Sequence, residues 1–498
     1  MSKITRVLVT VYAALFAVVG LGFWAAPALL AQRFNVEGLG ISGLSTIRAD
    51  LGGLFLTLAG LCFVGVQTRR RSLLIAAALM LSAIVVGRLI GWATSGELAG
   101  LAGMLAIEIV GVAVLAAHVR TLKLWPDEAP PKFLKTLAAV AAVLLAIGGL
   151  VAIAGHTPAV QDRLFARASE AAIQRNNAAL LKDDALRVAL CGTSSPLPSP
   201  KRAKACVAVI AGGKMWIVDS GPESTENLMQ WGIPLDRVAG VLITHFHSDH
   251  IGDLDELNLQ TWVAGRPAQL AVYGGPGVEQ VVAGFNAAYA QDETYRTAHH
   301  TAALLPPATA TMVGHPVAMP ATGPRTAVVH DDGQLKITAI ETNHAPVAPA
   351  YAYRFEYKGR SVVVTGDTTT DPRLIAGSRG ADILFSEALN RDMVRTMERT
   401  ARAAGRDRIA HIMADIQSYH IAPDEAADVA NKAGVKLLVL YHLIPSPDNF
   451  MARRIFTRGL DGARRGEWDL AEDGSLYTLP VGSRDFRIGR VQPVMRLP

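Results

Sequence analysis

The sequence predicts an all-α bundle of apolar helices followed by an α/β domain in which sheets and helices form layers. Three observations carry that expectation. The chain has 498 residues, 50% of them hydrophobic, and nearly all of its long apolar runs lie before residue 156. From Leu186 the texture changes to short β-prone runs such as RVALCG, ACVAVIA, KMWIVDSG and VAGVLITH, separated by Gly, Pro and Ser. Strands come in two blocks with helical stretches between them, which suggests two sheets. The length exceeds that of one ordinary domain. The expected division is residues 1–155 as a transmembrane helical domain, 156–183 as a connecting amphipathic helix and 184–498 as the α/β domain.

Five stretches approach the roughly 20 apolar residues that cross a bilayer as a helix: residues 7–28, 51–66, 73–94, 98–118 and 133–154. The second is short unless it begins near Ile47, which takes Arg48 and Asp50 into the membrane. Basic residues fall in alternate connections: Lys3 and Arg6, then Arg69, Arg70 and Arg71, then Arg120, Lys123, Lys132 and Lys135, whereas the connection at residues 95–97 has none. The positive-inside rule then places the N-terminus in the cytoplasm. Five crossings put the α/β domain outside it, and losing the second crossing would reverse that parity. The first stretch is followed by further spans and lacks a small-residue cleavage site, so it does not read as a signal peptide. Arg88 and Glu108 fall within spans, where an isolated charge is costly. An ion pair with each other, or with Asp50 and Arg48, is expected ahead of a polar conduit.

Residues 159–183 mix Leu, Phe, Ile and Ala with charges at helical spacing and read as an amphipathic connection. The net charge of +5 is small for this length and its basic residues are scattered, so composition gives no nucleic-acid grip. Three cysteines do not make a structural zinc site. Cys191 and Cys206 can meet across adjacent strands; buried free thiols are expected, with a disulfide as the alternative outside the cytoplasm.

The densest chemistry lies in THFHSDHIGD, residues 244–253, with three histidines and two aspartates. VAGVLITH is an apolar run ending in His245, so the motif begins where a buried strand stops. His245 and His247 are two apart in an extended segment and can face one point. Asp249 and His250 follow in the turn, displaced enough to serve a second ion. Zinc takes imidazole nitrogens and carboxylates in this kind of close array. Asp253 reads as a cap for the next helix. His344, Asp367 and His442 stand near the ends of other strand-like runs, the last two directly after apolar ones. His299, His300, His315, His330 and His411 lack such a context, although His299 or His300 has a place at a substrate mouth. YGGPG at residues 273–277 lacks the lysine and threonine of a phosphate loop and reads as a tight turn.

The H-x-H-x-D-H string from His245 to His250, with His344, Asp367 and His442, resembles the metallo-β-lactamase superfamily. LCGTSSPLPSPKRAKACVAVIAGGKMWIVDSGPES resembles the opening of its ribonuclease Z and zinc arylsulfatase branch, and LQTWVAGRPAQLAVYGGPG is closer to the arylsulfatase-like members. The resemblance spans residues 186–447. It implies an αββα sandwich with two Zn2+ at one edge of the sheets. His245, His247 and His344 would hold the first ion, Asp249, His250 and His442 the second, and Asp367 would bridge them. LFSEALN and SYHIAPDEAADVANKAGVKLLVLYH also match the branch, with Glu387 and His420 as a pair assisting catalysis. Leu389, Ile421 and Ala422 depart from the hydroxyl residues usual around that pair. The N-terminal half resembles small integral-membrane domains that precede some bacterial hydrolases.

The resemblance implies a hydrolase anchored in the bacterial plasma membrane that cleaves a small anionic ester by attack of metal-bound hydroxide. Asp249, His420 and Glu387 would be its catalytic residues. Arylsulfatase-like activity is expected first, then a phosphodiesterase or ribonuclease Z-like nuclease. Nucleic acid is not expected as a partner: no Gly- and Lys-rich arm for transfer RNA is evident, and an extracytoplasmic domain would not meet it. From another class stands a membrane sensor whose metal-binding domain does no catalysis.

Overall fold

The computed structural model describes residues 2–27, 30, 40–95, 102–122, 157–174 and 176–494. The chain divides into two compact units, Met1–Ala168 and Ser169–Pro498.

In the first unit, α1 (Ser2–Ala25) is followed by α2 (Gly40–Ile47), which runs through a π-helical turn at Arg48–Gly52 into α3 (Gly53–Thr68); α4 (Arg71–Ser95) and α5 (Ala102–Thr121) come next. Four segments are long and apolar enough to cross a membrane: Lys3–Ala25, Leu44–Thr68, Arg71–Leu89 and Gly103–Thr121. The second begins upstream of Ile47 and takes in Arg48 and Asp50. Its π turn packs on α1, where Trp24 Nε1 donates to the Arg48 carbonyl at 3.2 Å and Arg48 Nε donates to the Trp24 carbonyl at 3.3 Å. Gly52 permits that approach, because a Cβ there would lie 2.4 Å from the Trp24 ring. Ile4, Val7 and Val18 are more than 60% exposed on α1, as on a helix that is apolar all round. Arg88 Nε donates to both Glu108 carboxylate oxygens, at 2.7 and 2.8 Å. The fifth predicted span, residues 133–154, lies outside the described residues, as do Gly96 and Glu97.

The connecting helix α6 (Pro158–Gln174) stops short of the expected end at Asp183. Asn177 turns the chain instead, donating from Nδ2 to the carbonyls of Trp231 at 2.7 Å and Gln492 at 2.9 Å. Such side-chain bonds compete with a continuing helix.

The second unit is a four-layer sandwich. One sheet has eight strands in the order β15 (Arg487–Arg490), β14 (Ser475–Pro480), β1, β2, β3, β4, β5 (Leu270–Gly274) and β6 (Met312–Pro316); the other has seven in the order β13 (Glu467–Leu470), β12, β11, β10, β9 (Val347–Tyr357), β8 and β7 (Thr326–Asp331). The strands that concern the site are β1 (Ala185–Gly192), β2 (Cys206–Ala211), β3 (Lys214–Val218), β4 (Val238–Leu242), β8 (Leu335–His344), β10 (Arg360–Val364), β11 (Ile383–Leu389) and β12 (Leu437–Ile444). Alternation along each strand builds the layers. Val188 and Leu190 of β1 and Trp216 of β3 meet Phe385 of β11 and Val439 of β12 between the sheets. Ala189, Met215 and Ile217 face the other way, beneath α7 (Ser224–Gln230), α8 (Ser248–Ile251), α9 (Leu254–Val263) and α10 (Val278–His300). On the far sheet Leu384, Leu438 and Leu440 pack outward with α11 (Pro372–Ser378) and α14 (Pro423–Ala433). Between those helices lie α12 (Arg391–Ala403) and α13 (Asp407–Asp415), and α15 (Phe450–Phe456) follows β12.

Cys191 and Cys206 are joined in a disulfide with Cα atoms 5.0 Å apart, a correction to the expectation of free thiols. A register shift between Leu190 and Gly192 brings the end of β1 opposite the start of β2. The bond closes the loop carrying Ser194 and Ser195. Cys62 is the free cysteine and is buried.

Two outcomes follow. Thiol labelling of denatured, unreduced protein should modify Cys62 alone, with all three cysteines reacting after reduction; labelling of Cys191 or Cys206 without reductant would contradict the pairing. Glu108→Ala should destabilise the helical unit measurably, by up to about 3 kcal/mol in detergent, because it leaves the half-buried Arg88 without its partner, and the Arg88→Leu/Glu108→Leu pair should recover much of that loss in a denaturation titration.

Candidate metal centre and active site

Six polar side chains converge because six strand ends converge. β3 and β4 run parallel, and β8, β10, β11 and β12 point the same way in the other sheet, since β9 lies antiparallel to both β8 and β10. Carboxyl ends of parallel strands are where an open α/β sheet presents ligand-binding loops. Asp219 follows β3, His245 follows β4, Asp367 follows β10, His344 ends β8, and Glu387 and His442 lie near the ends of β11 and β12. Gly366 lets β10 deliver Asp367 closely, since a Cβ there would lie 2.5 Å from the Thr244 side chain.

His442 is delivered by a bulge. Tyr441 pairs with Glu387 and Leu443 with Ala388, so His442 is an extra residue in the ladder. Its φ of 44° is left-handed, which is strained for a non-glycine side chain and is held by the buried strand on either side.

Two groups of side chains have ligand atoms within 4.8 Å of one another: His245, His247, His344 and Asp367, and Asp249, His250 and His442. Asp367 faces both groups. Its Oδ2 lies 3.8 Å from His245 Nε2 and from His344 Nε2, and its Oδ1 lies 3.4 Å from His250 Nε2 and from His442 Nε2. Asp249 Oδ2 lies 3.2 Å from His442 Nε2, and His245 Nε2 is 2.8 Å from His247 Nδ1. His247 is the exposed member.

The donor set fits divalent metal ions. His250 Nε2, His344 Nε2 and Asp367 Oδ1 are buried with no hydrogen-bond partner, an arrangement that costs free energy unless a ligand takes them. The opposite edges of the rings are fixed by acceptors: His250 Nδ1 sits 2.8 Å from Asp219 Oδ2, and His344 Nδ1 sits 2.9 Å from the Tyr419 carbonyl. Those contacts select the tautomer that leaves Nε2 open toward the cluster. Burial, with His250 beside it, holds the His245 imidazole well below its usual range, and burial also lowers that of His247. For Asp367 burial opposes ionisation, but His442 and His250 hold its carboxyl well below the ordinary value. Burial opposes a charge on His250 and His442 too, but Asp367 raises the pKa of both, so metal binding would displace protons from those two rings while His245 and His247 are already neutral.

His420 and Glu387 stand beside this cluster. His420 Nδ1 is 3.1 Å from each Glu387 carboxylate oxygen and 3.8 Å from Asp367 Oδ2. Burial works against a charge on His420, yet Glu387 and Asp367 raise its pKa to about 9. Asp367, Glu387 and His442 form a third close group, but Glu387 is already engaged by His420 and by the Thr368 and Ile421 backbone N–H groups. Both of its carboxylate oxygens are thus taken up by hydrogen-bonding neighbours. Ala422 gives α14 no side-chain cap, and at the same helix start Glu425 Oε2 accepts from the Ala422 N–H at 2.9 Å.

The structure thus brings together all nine predicted site residues. The sequence reading passed over Asp219, which holds His250 and also accepts from Thr244 N and Oγ1. Its position just after the apolar run KMWIV matches the placing of His245 and Asp367, so strand-end polarity was the available clue. Asp253 does not cap α9; its Oδ2 accepts from Thr225 N at 2.8 Å, at the start of α7. His299 and His300 end α10, are exposed, and are absent from the lining of the cavity formed by His247, Asp249, Asp367 and His420. His315 stacks on Tyr273, His330 lies against Trp216, and His411 is exposed beside Asp415.

A two-sheet sandwich with this cluster at its strand ends defines a metal-dependent hydrolase. Residues 217–443 match the Beta-lactamase superfamily domain. Ribonuclease Z of Mycolicibacterium paratuberculosis is 34% identical over 264 residues, covering 52% of this chain and 87% of that protein. Ribonuclease Z of Mycobacterium marinum is 33% identical over 264 residues with the same coverage. Among solved structures, the metallo-beta-lactamase fold protein YhfI from Bacillus subtilis has a TM-score of 0.42 and 22% identity, covering 59% of this chain and 100% of that one. The short form of human tRNase Z has a TM-score of 0.40 and 21% identity, covering 59% and 99%. The chain belongs to the metallo-β-lactamase superfamily, with ribonuclease Z proteins as relatives. That kinship weighs against the expectation that nucleic acid is no partner.

Asp219→Ala should lower metal affinity by about 10–100-fold, read by chelator competition; unchanged affinity would remove Asp219 from its role in fixing His250.

Proposed function

We infer that this chain is a membrane-anchored hydrolase with two Zn2+ that cleaves phosphodiesters. The observation that carries this is the Glu387–His420 pair set against Asp367 in a site with every metal-ligand side chain in place. His245, His247 and His344 would hold one ion, Asp249, His250 and His442 the other, with Asp367 between them. When bound, the two ions supply Lewis acidity toward the ester oxygens and make water more acidic. Asp249 turns Oδ2 to His442 and His250, leaving Oδ1 to accept from and orient the attacking water. Glu387 fixes His420 through Nδ1, so Nε2 is the atom that contacts the substrate, where it donates to the leaving oxygen.

Kinship with ribonuclease Z favours the phosphodiester over the sulfate ester, reversing the order expected from sequence. Arylsulfatase action stays second, supported by the LQTWVAGRPAQLAVYGGPG resemblance. A sensor without catalysis has no use for the clamped His420.

Four apolar helices, the basic connection at Arg69–Arg71 and the sequence of the fifth stretch support an anchor with the hydrolase outside the cytoplasm of a bacterial plasma membrane. The disulfide supports the same side, because such bonds persist in oxidising compartments. A periplasmic-active reporter at the C-terminus should be active, and a cytoplasm-only reporter silent.

Purified chain should carry about two zinc ions by elemental analysis. It should hydrolyse bis(p-nitrophenyl) phosphate faster than p-nitrophenyl sulfate, and a panel with RNA substrates would fix the class. His420→Ala should lower kcat by about 10²–10⁴-fold while zinc content stays at the wild-type level. Loss of zinc in that variant, or equal rates, would oppose the assigned role.

A further inference from the structure

The cavity beside the cluster has a volume of about 280 Å³ and two unlike walls. One wall is the ligand and His420 side. The other is made by Pro196, Leu197, Ile412, Met413, Ile416 and Ile444, and no lysine, arginine, asparagine or glutamine lines it. The apolar wall has two sources. Pro196 and Leu197 belong to the loop closed by the Cys191–Cys206 bond, and Ile412 and Met413 belong to α13, in the helical stretch between Glu387 and His420. Met413 and Ile444 are buried and pack with Leu389 and Val394, which fixes the floor. Ile412 is 47% exposed at the rim.

A polar atom stands in the same lining. Ser195 is fully buried and its Oγ has no hydrogen-bond partner. A buried hydroxyl left unpaired is costly, and its neighbours Thr193 and Ser194 are both bonded, to Asp473 and Ser446.

We propose that this cavity is the subsite for an aryl or short alkyl group carried by the substrate ester, with the Ser195 hydroxyl donating to an oxygen of the anionic ester group. This rests on the ester-hydrolase reading of the same metal centre. Ser248 and Tyr419 are the other hydroxyl-bearing residues of the lining, and a sugar or charged group set against the Pro196, Leu197, Ile412, Met413, Ile416 and Ile444 wall would give up its hydration to side chains that return no hydrogen bonds. An aromatic ring would instead bury apolar surface on both sides, and an apolar cavity of about 150 Å³ already accommodates benzene. The substrate class is therefore an amphiphilic phosphoester: an anionic head for the metals and His420, and an uncharged apolar substituent against α13.

Non-hydrolysable probes separate this from the hydrolase reading. Phenylphosphonate and methylphosphonate would be titrated calorimetrically into the zinc-loaded full chain. Phenylphosphonate should bind at least about tenfold tighter. Ile412→Asp should abolish that preference and Ile412→Ala should reduce it, with zinc content checking that each variant is folded. Ser195→Ala should weaken both ligands alike by severalfold while preserving their ratio. Equal affinities in the unaltered chain, or a preference that survives Ile412→Asp, would overturn the subsite and leave the hydrolase reading standing. Failure of zinc-loaded protein to bind either phosphonate would bring down both. Unchanged binding by Ser195→Ala would overturn the role of that hydroxyl.

Discussion

The constraint on which the second unit depends is the crowding of buried imidazoles around Asp367. One carboxylate faces His245 and His344 through one oxygen and His250 and His442 through the other, so it electrostatically joins two sheets that also meet through apolar side chains and through hydrogen bonds such as Tyr353 Oη to the Ile243 carbonyl. Such a cluster is stable only when each ring is held in one tautomer and orientation. Much of the surrounding polar structure serves that end: Asp219 behind His250, the Tyr419 carbonyl behind His344, and Glu387 behind His420. The fully buried β12 residues on either side of the bulge hold His442 in its left-handed backbone conformation against local preference.

In the proposed reading the same edge of the sandwich also carries recognition. The loop tied by Cys191 and Cys206 and the α12–α13 stretch approach the cluster from two sides, and each brings apolar residues to a site whose chemistry is ionic. Catalytic groups on strand ends are rigid, whereas the flanking loop and helices can vary without disturbing the sheets. On that reading, chemistry and specificity are set by different parts of the fold. In the first unit the Arg88–Glu108 pair is a polar contact set among apolar helices.

Much of the metal centre was legible in the sequence because its ligands sit where apolar runs stop. His245 after VLIT, Asp367 after VVVTG and His442 after LVLY share that signature, and the spacing of His245, His247, Asp249 and His250 needs only an extended segment followed by a turn. Asp219 carried the same mark but stood alone, so nothing nearby drew attention to it. The end of α6 was misjudged because helical periodicity persists in residues 175–183, while Asn177 finds partners far away in sequence at Trp231 and Gln492.

The sequence by itself determined the division into an apolar helical part and an α/β part, the His and Asp residues that gather at the strand ends, and the kinship, because these depend on residue type and local period. The tertiary structure decided three things. It joined Cys191 to Cys206, turned Asp253 to the start of α7, and set apolar residues from positions 196–197, 412–416 and 444 around one cavity with the unpaired Ser195. Each depends on the distance between segments far apart in the chain, and hydrophobic periodicity records which way a side chain faces without recording what it meets.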